Sequence, residues 1–446
     1  MKFILRKNLT AGLVAVFLYL FPTAGDAQEN DAAIAADTLN AKIENIKTDM
    51  GLLNRLRITG YIQAQWQKAD TAGISSFAGG NFPKYSDNRF GIRRGRVKFS
   101  YENELSAFVI QLDATEKGVG VKDAYITVRE PWAEFASLTA GIFDRPFGYE
   151  ISYSSGTRET PERSRLFQSI FPGERDLGAK LTLQPKKGTR FDFIKLEAGL
   201  FAGNGINAES DTRKDFIGRL GMSKANKAEN FKYGFGISYY NGSVLQGTKF
   251  LYSTGTMTDG ITRGFLVDSA SANKFGFARR RYLGADLQLS LFSAIGMSSI
   301  RAEYIAGKQP GSKGSNVSVA SASAPDYDTY LREFNGGYIY CIQNIGQTKH
   351  QVVLKYDWYD PNIKIAGNQI RAKNNDGEST GLSAADIKYR TFGLGWNYRF
   401  NSQVKFTLYY DIVKNEKTGI EGVNSTNDFT KDLKDNVFTF RVQYKF

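Results

Sequence analysis

The sequence predicts an all-β protein, a transmembrane β-barrel of about 16 antiparallel strands with a short N-terminal α-helical coiled-coil segment. Three observations lead there. From Arg57 onward apolar and polar residues alternate with period two, in segments about as long as a membrane-crossing strand. The connections between these segments alternate between short and long. The chain closes on "FTFRVQYKF" (438–446), where Phe438, Phe440, Val442, Tyr444 and Phe446 share one face and Thr439, Arg441, Gln443 and Lys445 the other. A strand with a fully apolar face at a chain end makes sense if that face meets lipid and the other meets water.

The elements follow in order. Residues 1–27 read as a signal peptide: Lys2, Arg6 and Lys7, then the apolar "LTAGLVAVFLYLF" (9–21), then the small-residue site "GDA" (25–27). The apolar run is too short for a membrane-anchoring helix. Residues 28–56 carry Ala32, Ala36, Leu39, Ile43, Ile46, Met50 and Leu53 at alternating spacings of four and three. That is a heptad seam, weakened at its end by Gly51. It fits a short periplasmic coiled coil or an amphipathic helix lying on its own domain.

Residues 57–446 form the expected barrel. "RITGYIQAQWQ" (57–67), "FVIQLDA" (108–114), "KLTLQ" (180–184), "YGFGISYY" (233–240), "YLGADLQLSL" (282–291), "SIRAEYIAG" (299–307), "HQVVLKYDWY" (350–359), "TFGLGWNYRF" (391–400) and "VKFTLYYDIV" (404–413) repeat the alternation. Short links (293–297, 344–349, 401–403) contrast with long polar loops at 245–275, 308–334 and 362–387. None of the prolines falls inside an expected strand. A barrel of this size encloses water and not a packed core. A soluble β-sandwich is the alternative, but its loops would not segregate by length.

The formal net charge of +13 favours anionic partners. An exported chain has little access to nucleic acid, which leaves small anions. The single cysteine, Cys341, cannot form an internal disulfide and reads as a small wall residue.

The stretch 89–180 is more specific. "RFGIRRGRVKF", "VKDAYITV", "LTAGIFDRPFGYEISYSS" and "ERSRLFQSIFPGERDLGAKL" resemble, in order and spacing, the signature of the phosphate-selective porin O and P family. The resemblance implies a homotrimeric channel of the Gram-negative outer membrane, seated in its lipid. It also implies a third extracellular loop, here 144–176, folded into the lumen as a constriction. A last strand ending in Phe446 and Tyr444 resembles the signal read by the outer-membrane barrel assembly machinery.

The expected function is passive diffusion of small anions such as phosphate. In "RRGRVKFSY", Arg94, Arg96 and Lys98 share the face opposite Val97, Phe99 and Tyr101, about 7 Å apart along the strand. At that spacing their potentials merge into a track. Arg129, Lys180, Arg219, Arg301, Lys355, Arg399, Lys405, Arg441 and Lys445 fall in the lumen phase of other strands. The loop holds Arg145, Arg158, Arg163, Arg165 and Arg175 against Asp144, Glu150, Glu159, Glu162, Glu174 and Asp176, a near balance that argues for internal ion pairs and not a dedicated phosphate clamp. Enzymatic signals are thin, and no cofactor or metal is expected. His350 is the only histidine. "GNGINA" (203–208) lacks a following helix, and loop acids such as Asp376 and Glu378 offer at most weak Ca²⁺ binding. Two other readings stay open: a barrel-anchored structural or adhesion protein, and a general non-selective porin.

Overall fold

The computed structural model describes residues 55–318, 326–422 and 424–446, with Lys42, Glu44 and Gly51 before them. The chain divides into two units, Met1–Leu56 and Arg57–Phe446. The expected signal peptide (1–27) and nearly all of the heptad segment (28–56) lie outside the described residues. No helix among the described residues is long and apolar enough to cross a membrane.

Among the described residues, eighteen strands form one sheet: β1 (Leu56–Ala69), β2 (Asn88–Glu102), β3 (Ser106–Thr115), β4 (Gly118–Arg129), β5 (Ala136–Asp144), β6 (Arg175–Leu183), β7 (Ile194–Phe201), β8 (Asp215–Ala225), β9 (Phe231–Leu245), β10 (Leu251–Thr256), β11 (Arg263–Asp268), β12 (Phe277–Ser293), β13 (Gly296–Gly311), β14 (Thr329–Asn344), β15 (His350–Asp360), β16 (Tyr389–Arg399), β17 (Val404–Asn415) and β18 (Val437–Lys445). Sixteen of them close a ring of antiparallel neighbours, with β9 joined directly to β12 and β18 to β1. The seam runs from Ala69↔Val437 to Tyr61↔Lys445, and Gly60 and Phe446 exchange backbone hydrogen bonds of 3.2 and 3.0 Å beyond it. The last residue therefore belongs to the ring.

The remaining two strands correct the expectation of an irregular loop at 245–275. β10 and β11 pair as a hairpin, and β10 also lies parallel to the start of β14. The hairpin has its own apolar support. Phe265 and Tyr330 join Ile365, Ile370, Leu382, Ile387 and Phe429 in a core built from the long loops. Pro310 is a second departure, since β13 runs on to Gly311 and includes it. It lies near the strand end, where loss of one donor is tolerated.

The wall is inverted relative to a soluble sheet. Ile58, Ile62, Phe440 and Tyr444 point outward and are exposed, while Gln63, Gln67, Thr439, Arg441 and Gln443 point inward and are buried. Lipid outside and water inside demand this arrangement. Connections at the end where β1 begins are short, as at 103–105, 294–295 and 400–403. Those at the other end are long, except for the two-residue turn 116–117 between β3 and β4.

Candidate functional site

The longest inward excursion is residues 145–174, between β5 and β6. One short helix, α1 (Arg165–Ile170), organises it. Ser164 caps α1 through its hydroxyl, and Glu150 in turn accepts from the Ser164 backbone at 3.0 Å and its hydroxyl at 2.7 Å. Leu166, Phe167, Ile170 and Phe171 form one apolar side of the loop. With Phe147 and Ile151 they pack on Tyr240, Tyr282, Ile305, Phe334 and Tyr338 of the wall, a buried apolar core inside the lumen. Backbone contacts add to it. Gly148 N–H donates to Ser238 Oγ at 2.8 Å, and the N–H groups of Tyr149 and Glu150 donate to Glu303 at 3.1 and 3.2 Å. Position 148 has to be glycine: its φ is +63°, and a Cβ would lie 1.7 Å from Glu303 Oε1.

Ion pairs tie the rest of the loop to the wall and to itself. Glu162 accepts from Arg93 at 2.8 Å, Arg94 at 2.8 Å and Arg441 at 3.0 Å. Glu159 pairs with Arg301 at 2.9 Å. Glu174 meets Arg163, Lys122 at 3.3 Å and Arg175 at 3.1 Å, and Arg175 also reaches Asp123 at 2.7 Å. Arg145 pairs with Asp176 at 2.9 Å. Burial alone would raise the Glu162 carboxyl, but Arg93, Arg94 and Arg441 outweigh it and hold it well below the ordinary carboxylate range. Glu174 is depressed in the same way, with Arg163, Lys122 and Arg175 overriding burial. Arg158 donates to the carbonyls of Thr160 and Pro161, and Arg165 stacks between Tyr389, at 3.7 Å, and Phe77, at 4.4 Å.

The expected ladder is on the inner face, but most of it is engaged. Arg94 is only 4 % exposed and is closed off beneath the loop by Glu162, so it does not line an open track. Arg96 pairs with Asp113 at 3.0 Å and donates to Tyr61 Oη and Ser155 Oγ. Lys180 pairs with Glu197 at 2.7 Å and Arg219 with Asp286 at 2.6 Å. Arg129 sits at the rim with Glu102. Lys355 lies between Asp357 and Asp411, and Lys405 donates to the Arg158 carbonyl at 2.9 Å. Lys98 and Lys445 have no ion-pair partner among the described residues, and both face a cavity of about 290 Å³.

Strict alternation missed two cations. Arg89 donates to Gln67 and to the carbonyls of Gly80 and Asn81, and Arg93 reaches Glu162 beside Arg94. Both residues of the pair 93–94 thus point inward, and the phase of β2 slips by one between them. Nothing in the local pattern announces the slip. Helix α1 was missed as well, although Leu166, Phe167, Ile170 and Phe171 have helical spacing.

The lumen has distinct chambers. Arg89 and Arg93, with Gln65, Glu116 and Lys117, line a space of about 140 Å³ toward the long loops. The 290 Å³ cavity lies toward Gly60 and Lys445 and is lined by Arg96, Lys98, Arg163, Arg175 and Lys445 against Asp123 and Asp144. Beside it, a third of about 480 Å³ is lined by ion-paired Lys180, Lys195, Glu197 and Arg219 together with Tyr149, Phe193 and Met222. The other residues read as chemical candidates take wall or loop positions. His350 stacks on Trp396 and Tyr398, Cys341 is exposed, residues 203–208 are loop, and Glu378 bonds Thr258 and Asn374.

A closed sixteen-stranded barrel whose wetted lumen is narrowed by an inward loop is the architecture of an outer-membrane porin. Within that class, residues 86–242 match the family model of phosphate-selective porin O and P, as the motifs at 89–180 led one to expect. No curated protein matches the sequence. Among solved structures, the chain is similar to OprB of Pseudomonas putida at high pH, with 9% identity over 90% of this chain and 96% of that one and a TM-score of 0.56. It is also similar to the outer-membrane channel DcaP of Acinetobacter baumannii, with 12% identity over 88% and 97% of the two chains and a TM-score of 0.49. Identities this low speak to the fold, and the OprB likeness covers nearly the whole barrel.

Proposed function

We propose that this protein is a water-filled channel for passive diffusion of small anionic solutes, phosphate among them. The supporting observation is the run of cations down β2. Arg89 and Arg93 line the chamber toward the long loops, Arg94 sits at the level of the inward loop, and Arg96 and Lys98 line the cavity beyond it. Acids of the loop and wall hold the arginines in position, Asp113 beside Arg96 and Glu174 with Asp123 beside Arg163 and Arg175, while Lys98 and Lys445 face the lower cavity with no ion-pair partner among the described residues. An anion passing this wall meets cations above and below the inward loop and no closed cage of donors, which suits conduction better than tight binding. Seating in outer-membrane lipid, a homotrimeric state and recognition of the Tyr444–Phe446 end by the barrel assembly machinery belong to the same reading.

The test uses Lys98 and Lys445, which have no ion-pair partner among the described residues. Lys98→Glu with Lys445→Glu reverses charge in the lower cavity and leaves the loop's ion pairs intact. At about 1 kcal/mol per nearby charge in water, relative anion permeability should fall at least about fivefold. The measurement is reversal potential across a planar bilayer in a KCl gradient. The difference should shrink in about 1 M salt, where screening reaches only about 3 Å. An unchanged anion preference overturns the reading.

The core that the long loops build around Phe265, Tyr330 and Phe429 favours a second reading, in which the barrel anchors an ordered surface for adhesion. A wild-type protein without stable conductance steps would decide for that alternative.

A further inference from the structure

The sequence "FARRRYLG" opens β12 with three consecutive arginines. Arg280 points inward and donates to Tyr240 Oη. Arg279 and Arg281 point outward, in phase with Leu283 and Leu287 on the lipid-facing wall. Neither has an ion-pair partner among the described residues. An outward groove of about 430 Å³ lies here, lined by Arg279, Arg281 and Lys308 at one end and Tyr239, Leu283 and Ala306 at the other.

Pairing fixes the arrangement. Arg281 stands directly opposite Lys308 across β12 and β13, and Leu283 stands between Tyr239 and Ala306 one row closer to the barrel's middle. Like charges directly opposite on one sheet face are destabilising. One acid is near: Glu333 pairs with Lys308 at 2.9 Å and with Lys364 at 3.1 Å, so its charge is already shared. Toward the middle the outward residues are apolar and exposed, namely Ile237, Tyr239, Leu283, Leu287 and Tyr304. The wall thus changes from apolar to cationic within two residues, about 7 Å, at the end that carries the long loops. A lipid's acyl chains and its phosphate change over on the same length scale.

We infer that this groove is a binding site for a phosphorylated lipid of the leaflet on the long-loop side. The phosphate lies among Arg279, Arg281 and Lys308, and acyl chains lie along Tyr239, Leu283 and the apolar residues below. Arginine suits this role, because its planar fork takes two phosphate oxygens at once. The lumen cations are on the other side of the wall and take no part. The inference requires only that the barrel spans a membrane, not that it selects anions.

The test is native mass spectrometry of the full-length protein purified in detergent, with three probes. They are a phosphorylated outer-leaflet glycolipid, the same glycolipid stripped of its phosphates, and inorganic phosphate. The wild type should retain the phosphorylated lipid, bind the stripped lipid far more weakly, and not release bound lipid to millimolar inorganic phosphate. Arg279→Ser with Arg281→Ser should weaken retention about thirtyfold. Heat-modifiable mobility of the variant shows that the barrel is folded. If the variant does not fold, the stripped-lipid comparison on the wild type remains decisive. Equal retention by the double variant, equal binding of the stripped lipid, or displacement by inorganic phosphate overturns the site. A failed conductance measurement would bear on the channel reading and leave this one standing.

Discussion

At Glu162 three guanidinium groups converge on one buried carboxylate of the inward loop. Glu162→Gln keeps the shape and removes the charge, leaving Arg93, Arg94 and Arg441 to repel one another. Breaking a buried ionic network by removing one partner costs about 3–5 kcal/mol, and here the cost falls on the loop and not the ring. Single-channel traces should flicker between sublevels and anion preference should rise, while heat-modifiable mobility stays normal. Quiet traces would mean that the apolar packing of Phe167 and Phe171 suffices. Acid should act through the same groups. Glu162 and Glu174 are held below the ordinary carboxylate range, so their ties are complete above about pH 4.5 and are lost only as pH falls through their lowered values. Recordings at about pH 7 and about pH 5 should therefore agree, and flicker should begin only in stronger acid. An onset between the two would assign the loop's hold to groups that titrate higher.

Among the elements, β18 has two functions on two faces. Thr439, Arg441 and Gln443 are buried inward, and Arg441 reaches the loop at Pro161 and Glu162. Phe440, Tyr444 and Phe446 are exposed outward. Phe446 also completes the seam through its exchange with Gly60. Deleting Phe446, or replacing it with Asp, should lower the amount of folded barrel in the outer membrane, read as the heat-modifiable band in membrane fractions. Normal accumulation would show that ring closure at Tyr61↔Lys445 is enough. β12 is the other element with divided duties, since Arg280 and Asp286 serve the inner face and Arg279 and Arg281 the outer.

For the whole molecule, the proposed trimer predicts a behaviour of the N-terminal segment. In the heptad pattern of the sequence Ile43 and Ile46 fall at adjacent a and d positions, a choice of residues that leans toward three strands over two, and about three heptads are marginal without a partner structure to hold them. Cysteine placed at position 43 should crosslink between subunits of the folded protein under mild oxidation. Monomeric protein under the same conditions would favour a helix lying against its own domain. Ile43→Asp with Ile46→Asp should abolish the crosslink and leave the barrel band unchanged.

Much of this architecture is local and therefore legible. Lipid on one side of a strand and water on the other write period two into each segment, and turn chemistry divides the segments. The ring of sixteen and the inverted faces of β1 and β18 follow from strings such as "RITGYIQAQWQ" and "FTFRVQYKF", and the inward position of residues 145–174 was implied by the family resemblance of the motifs at 89–180. Only the tertiary structure decided which charges are free. Arg441 meets Glu162 from 279 positions away and Gln63 meets Gln443 from 380, separations that no local period encodes. The slip between Arg93 and Arg94 and the hairpin at 251–268 escaped for the same reason: each is stabilised by partners contributed from elsewhere, Glu162 in one case and Tyr330 in the other. Alternation assigns a side chain to a face, but whether a cation on that face attracts a solute or braces a loop depends on the acid that the fold brings beside it.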